Sequence, residues 1–205
     1  MKKNKRGFSL IELLAVIVIL GILAAFSIPV VTKYIKSTRG KSYLIDANKL
    51  ISMAEYKISS NSLNIEKPDS GNCIVFSFKY LDNGSLSSPP NKGEYDVDAS
   101  FVVIKNNSGT LEYSVQLIEK TSSEEYIGIE LSKQSEIKDN KDFSKMKYYK
   151  KDELIYVDSG GCSRHGVNSN RTISTTLINE KLGSSYVSNI EKVYFYDDLE
   201  QGEGE

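Results

Sequence analysis

Hydrophobic and polar positions divide the chain into three patterns. Over residues 8–31 apolar side chains follow one another almost without interruption, with Glu12 as the only charge. That run of 24 residues exceeds the roughly 20 that a helix needs to cross a bilayer. Over 33–60 the apolar residues Leu44, Ala47, Ile51, Ala54 and Ile58 recur at spacings of three and four, the stripe of one helix face, with Lys41, Asp46, Lys49, Glu55 and Lys57 opposite. Beyond about residue 61, clusters of Ser, Asn, Asp and Gly separate short aromatic and β-branched runs, which is the pattern of a sheet.

The two helical patterns predict one N-terminal stalk over about 8–60, roughly 80 Å long at 1.5 Å per residue. Its first half, 8–32, is the membrane-spanning part. Its second half, 33–60, is amphipathic and should bury its stripe against a head over 61–198. The turn residues Lys67-Pro68-Asp69-Ser70-Gly71-Asn72 end the stalk. A strand is expected over 73–81, followed by loops at Asp82-Asn83-Gly84 and Ser88-Pro89-Pro90-Asn91, where paired prolines remove sheet capacity. Strands over 101–105 and 111–120 flank Asn106-Asn107-Ser108-Gly109, a hairpin signal, and a third is expected over 126–131. These three should form an antiparallel meander lying on the stalk's stripe. The stretch 133–152 is charged and weakly patterned, 154–157 reads as an added strand, 176–182 as a brief helix before Gly183, and 193–196 as a last strand. The acidic, glycine-containing end, 199–205, reads as a disordered tail. The expected class is therefore α+β, a long N-terminal helix packed on an antiparallel sheet, with a head of roughly 140 residues that suffices for one core.

Charge orients this plan. Lys2, Lys3, Lys5 and Arg6 precede the apolar run and place the N-terminus in the cytoplasm, which puts the head outside. A plain signal anchor fits this much; a cleaved signal peptide fits less well, because Leu23-Ala24-Ala25 is a poor cleavage site and the run is long. An isolated carboxylate within hydrocarbon is costly and marks function, so Glu12 needs a partner. Pro29 removes a helix hydrogen bond and crowds the carbonyl four residues back, and Gly21 weakens the helix further, so the segment between them should loosen most readily. Gly40 is another weak point without a clear reading.

The string Lys5-Arg6-Gly7-Phe8-Ser9-Leu10-Ile11-Glu12-Leu13-Leu14 resembles the class III leader of type IV pilins and of the pseudopilins of type II secretion and DNA-uptake systems, and Gly21 and Pro29 fall where many pilins carry helix-weakening residues. The resemblance covers residues 1 to about 35. It implies a pilin fold, a leader at 1–7, cleavage between Gly7 and Phe8 by a membrane prepilin peptidase, and methylation of the new Phe8 amine. It further implies polymerisation with other pilin subunits through an assembly platform. The subunit would lie in a bacterial cell membrane before assembly and in an extracellular pilus afterwards, facing a host or environmental surface. Physical chemistry agrees. Along a helix the Phe8 amine lies about 6 Å from Glu12, too far within one subunit for a short contact, but a neighbour displaced along the axis could bring its amine to that carboxylate and relieve its desolvation. Glu12 would then set the register between stalks.

The head adds less. The net charge of −1 becomes −5 once the leader is removed, and no basic stripe indicates nucleic acid. Thirteen Tyr and no Trp suit either filled sheet faces or an adhesive surface. Cys73 and Cys162 lie in the part placed outside the cytoplasm, where disulfides persist. Joined, they would close a loop of about 90 residues with a chain-entropy contribution of roughly 4–5 kcal/mol. They could equally stay free, or join His165 in a zinc site, since Cys162-Ser163-Arg164-His165 presents two soft ligands and Cys73 a third. A cysteine hydrolase using His165 lacks an orienting group and an oxyanion signature, so no catalytic residues and no enzyme are expected, and zinc is the one cofactor weighed. Two readings stand: a structural subunit of a type IV pilus or pilus-like fibre, or a non-polymerising membrane-anchored ectodomain that binds a ligand, through a metal or otherwise.

Overall fold

The computed structural model describes residues 9–60, 65–82, 84, 86, 88–138, 146–157 and 173–194. Helix α1 (Leu10–Ser60) runs without interruption through Gly21 and Pro29. After it come β1 (Cys73–Ser77), α2 (Phe78–Leu81), β2 (Glu94–Tyr95), β3 (Phe101–Asn107), β4 (Thr110–Lys120), β5 (Tyr126–Lys133), α3 (Gln134–Lys138), β6 (Met146–Tyr149), α4 (Thr175–Leu182) and β7 (Ile190–Tyr194). The strands form one sheet in the order β6-β5-β4-β3-β1-β7, with β2 paired to the end of β4. All pairs are antiparallel except β1 with β7. The class is α+β, a long N-terminal helix on a mostly antiparallel sheet.

The chain divides into two compact units between Arg39 and Gly40. In the first, every residue from Ser9 to Lys36 is exposed, and the helix is long and apolar enough there to cross a membrane. In the second, burial begins at Gly40, and α1 lays Tyr43, Ala47, Leu50, Ile51, Ala54 and Ile58 against the sheet. The sheet meets them with alternate residues, Ile74 and Phe76 of β1, Val102 and Ile104 of β3, and Val115 and Leu117 of β4, as the period of two along a strand requires. The other alternate set, Cys73, Val75, Phe101, Val103 and Leu131, faces a second cover made by Ile155, Val157, Ile173, Ile178, Leu182 and Val187. The sheet is thus enclosed on both sides.

The hairpin between β3 and β4 closes on Ser108 and Gly109, with φ of 51° and 94°, the two left-handed positions of a type I′ turn. Asn106 supports it by accepting the Gly109 amide at 2.7 Å. β3, β4 and β5 do form the expected meander.

Three expectations are corrected. The strand expected over 73–81 stops at Ser77, because the Ser77 hydroxyl accepts the Tyr80 amide at 3.3 Å and caps α2. Residues 154–157 are not a strand. They cross the second face of the sheet, where the Ile155 carbonyl accepts the Gln116 side chain at 2.7 Å and the Val157 amide donates to Asp98 at 2.8 Å. Within 133–152, which the sequence left without an assigned element, the described residues hold α3 and edge strand β6. The last strand begins earlier, at Ile190, and pairs parallel with β1. The tail at 199–205 lies outside the described residues.

Candidate functional site

The chemistry the sequence singled out is concentrated at the start of α1. Ser9 precedes the first helical residue, and its carbonyl accepts the Leu13 amide at 3.2 Å, the first bond of the helix. Its hydroxyl accepts the Glu12 amide at 3.3 Å. In return the Glu12 carboxylate takes the Ser9 amide at 2.8 Å and the Ser9 hydroxyl at 2.9 Å. Glu12, an acid without a cation in this unit's described residues, is therefore held by its own helix terminus. Reading Glu12 for its charge alone missed Ser9; the spacing Ser9-x-x-Glu12 was the signal that could have found it. Gly7 and Phe8 lie outside the described residues.

Farther along, Pro29 sits inside the helix with no amide to donate to the carbonyl four residues back. Two hydroxyls flank it and bond backward to backbone carbonyls, Ser27 to Leu23 at 2.7 Å and Thr32 to Ile28 at 2.9 Å, an arrangement that bends helices and slightly weakens them. Gly21 has open space where a Cβ would stand, so no close approach demands glycine there.

In the second unit a buried polar cluster ties α1 to the sheet. The Tyr43 hydroxyl donates to Glu119 on β4, a carboxylate with no exposed surface. Glu119 also accepts the Gly93 amide at 2.7 Å and the Asn91 amide at 3.2 Å, and Asn91 donates its side chain to the Tyr43 oxygen at 2.8 Å. A Cβ on Gly93 would stand 2.3 Å from the Lys120 carbonyl, so only glycine lets this loop approach. Beside it, Tyr95 donates to Asp46 at 2.6 Å, and the Tyr43 and Tyr95 rings meet edge to face at 6.4 Å. Burial, followed by the hydrogen bond to each carboxylate, drives both phenols far above their ordinary pKa. Asp46, assigned by periodicity to the polar side, is 3% exposed and belongs to the buried face. Asn91 lies in the loop read as lacking sheet capacity, and no local signal joined it to Glu119.

Cys73 is a buried free thiol at the start of β1, and burial pushes its pKa up to about 12, with Glu191 adding to the rise and Lys105 opposing it. Cys162 and His165 lie outside the described residues, as do the disulfide and the zinc alternative that need them. Among the described residues no group of three His, Cys, Asp or Glu side chains could hold a metal ion.

Residues 2–28 match the prokaryotic N-terminal methylation motif, which is the class III prepilin leader of type IV pilins and pseudopilins. The matched stretch contains Gly7, Phe8, Ser9, Glu12 and Gly21 and ends just before Pro29. The match is confined to this N-terminal segment and supports a pilin-like or pseudopilin-like protein. No solved structure matches the chain.

Proposed function

We propose that this chain is a structural subunit of a type IV pilus or pilus-like fibre. A prepilin peptidase removes residues 1–7 and methylates Phe8. An assembly platform then draws the stalk from the membrane into a polymer, in which Glu12 pairs with the Phe8 amine of a neighbour. The observation that carries this reading is the coincidence of the methylation motif at 2–28 with a helical stretch, Leu10 to Val31, whose large apolar residues are all exposed and whose one acid is Glu12. Such a surface needs lipid or other helices to cover it, and a pilin uses first one and then the other. The head then works by display, for adhesion, motility or contact with a surface.

The test is intact-mass measurement of the protein from its own cells, with fibres sheared from the same culture. A mass that begins at methylated Phe8, together with the subunit in the fibres, supports the reading. A processed subunit confined to the envelope identifies a pseudopilin of secretion or DNA uptake instead. Retention of residues 1–7 leaves a tethered ectodomain. Glu12→Val should insert into the membrane as well as the parent or better while incorporation into fibres falls at least tenfold; incorporation at the parent level removes the pairing argument. In the same samples a mass lower by two hydrogens before reduction reports the Cys73–Cys162 disulfide, and a metal retained in native spray reports the zinc site with His165.

A further inference from the structure

The exposed surface of α1 carries its charges unevenly. Between Glu12 and Glu55 its one acid is Asp46, which is 3% exposed and accepts the Tyr95 hydroxyl. Its cations are clustered: Lys33, Lys36, Arg39 and Lys41 follow closely on the apolar run, and all four are exposed. Among the described residues Lys33, Lys36 and Lys41 pair with no carboxylate.

The opposite sign gathers at one end of the head. Residues 92–98, 120–125 and 150–153 hold seven acids and four lysines, a net charge of −3. The fold brings these segments together: Glu94 pairs with Lys120 across β2 and β4, and Glu124, Lys150, Lys151 and Asp152 line one groove with Tyr156. This is the end of the sheet at which α1 enters, since Tyr43 reaches Glu119 there, whereas Glu55 meets Gln134 just past the far end of β5. Asp98, Glu124, Glu125 and Asp152 are exposed, and among the described residues their carboxylates meet neither a hydrogen-bond donor nor a cation.

Stalks packed side by side in a fibre stand about 8–10 Å apart between axes, close to the screening length of about 8 Å at physiological salt. The cations at 33–41 of adjacent copies would then repel one another unless acids stand between them. We propose that the basic face of α1 over 33–41 docks on the acidic end of a second copy's head. The docking rests on the fibre proposed above, in which Glu12 pairs with a neighbour's Phe8 amine. That pairing shifts adjacent copies by about 6 Å, or four residues of helix. The head end marked by Tyr43 and Asp46 in one copy therefore comes level with residues 39–42 of the other. Complementary charge selects partner and register more than it adds affinity, which leaves cohesion to the apolar run.

Charge reversal in full-length chains, expressed in their own cells, tests the docking by the amount of subunit in sheared fibres. Lys33→Glu with Lys36→Glu, and separately Glu124→Lys with Asp152→Lys, should each lower incorporation about fivefold, as surface pairs turn from attraction to repulsion. A chain with all four changes restores opposite signs across the contact and should recover most of the parent's incorporation. Fewer cations outside the membrane favour a cytoplasmic N-terminus, so insertion is kept, and tyrosine emission in detergent checks that each head is folded. A four-change chain that incorporates no better than the weaker of the two double variants overturns the docking and leaves the fibre reading intact. Depletion of the Lys33/Lys36 variant from the membrane fraction, with the Glu124/Asp152 variant entering fibres at the parent level, also overturns it and assigns the cations to lipid phosphates. A parent chain absent from fibres overturns the fibre reading itself.

Discussion

Leu20 and Leu50 lie on the same helix, yet the first is 57% exposed and the second 0%. The residue type is identical and the local backbone is the same, so the difference lies in what covers each. Around Leu50 the chain supplies its own cover, through strands β1, β3 and β4. Around Leu20 the described residues supply none, and the apolar surface from Leu10 to Val31 is far more than a monomeric soluble protein carries. One half of α1 is finished by folding; the other is left to whatever covers it. Leu50→Ala should cost about 2–5 kcal/mol of head stability, and Leu20→Ala should cost the head nothing. Denaturant unfolding of the full chain in detergent, followed by tyrosine emission, reads the difference. Equal shifts from both variants would erase the distinction between the halves.

The same contrast holds for polar side chains. Tyr34 is 73% exposed and Tyr43 is fully buried with its hydroxyl on Glu119. Removing one partner from a buried hydrogen-bonded cluster costs the unmet desolvation of what remains, roughly 1–3 kcal/mol. Tyr43→Phe should therefore lower the unfolding free energy by that amount, and Tyr34→Phe should leave it where it is. A silent Tyr43→Phe would mean that the Asn91 and Gly93 donors alone satisfy Glu119, and that the helix is held by its apolar stripe.

How far the sequence revealed these halves follows from the range of the forces involved. The stalk was legible because a run of apolar residues and a stripe at spacings of three and four are local patterns: Ala47, Ile51, Ala54 and Ile58 are buried as their spacing predicted. The hairpin was legible for the same reason, since Ser108 and Gly109 need only their own backbone angles. Asp46 was misassigned because a charged residue reads as solvent-facing unless Tyr95, 49 positions away, is known to meet it. Residues 154–157 were taken for a strand because a buried β-branched run looks the same whether it pairs at an edge or lies across a face; the Gln116 side chain, not a ladder, decides it. At the candidate site Glu12 was legible as an isolated charge, whereas Ser9 became visible only through its bonds.

The smallest effect concerns how each half treats its acids. Glu12 is held by Ser9 alone among the described residues of its unit, whereas Glu130 on β5 lies 3.1 Å from Lys181 on α4 and 3.5 Å from Lys147 on β6. Burial by itself raises the Glu130 pKa, but the two lysines outweigh it and hold the carboxyl below its ordinary value. A carboxyl depressed in the folded state stabilises above its unfolded pKa, and that contribution disappears as pH falls through the lower folded value. The full chain should therefore lose this share of stability below about pH 4.5. Lys181→Ala should remove part of the contribution at neutral pH, about 0.2–1 kcal/mol for a pair this close to solvent, and leave stability below that pH unchanged. The gap between the two chains should narrow on acidification, and it should narrow also in high salt, where exposed pairs are screened. A gap that stays constant from neutral pH to pH 3 would show that Lys181 contributes through the packing of its aliphatic stem, and that the head's acids are no better neutralised than Glu12.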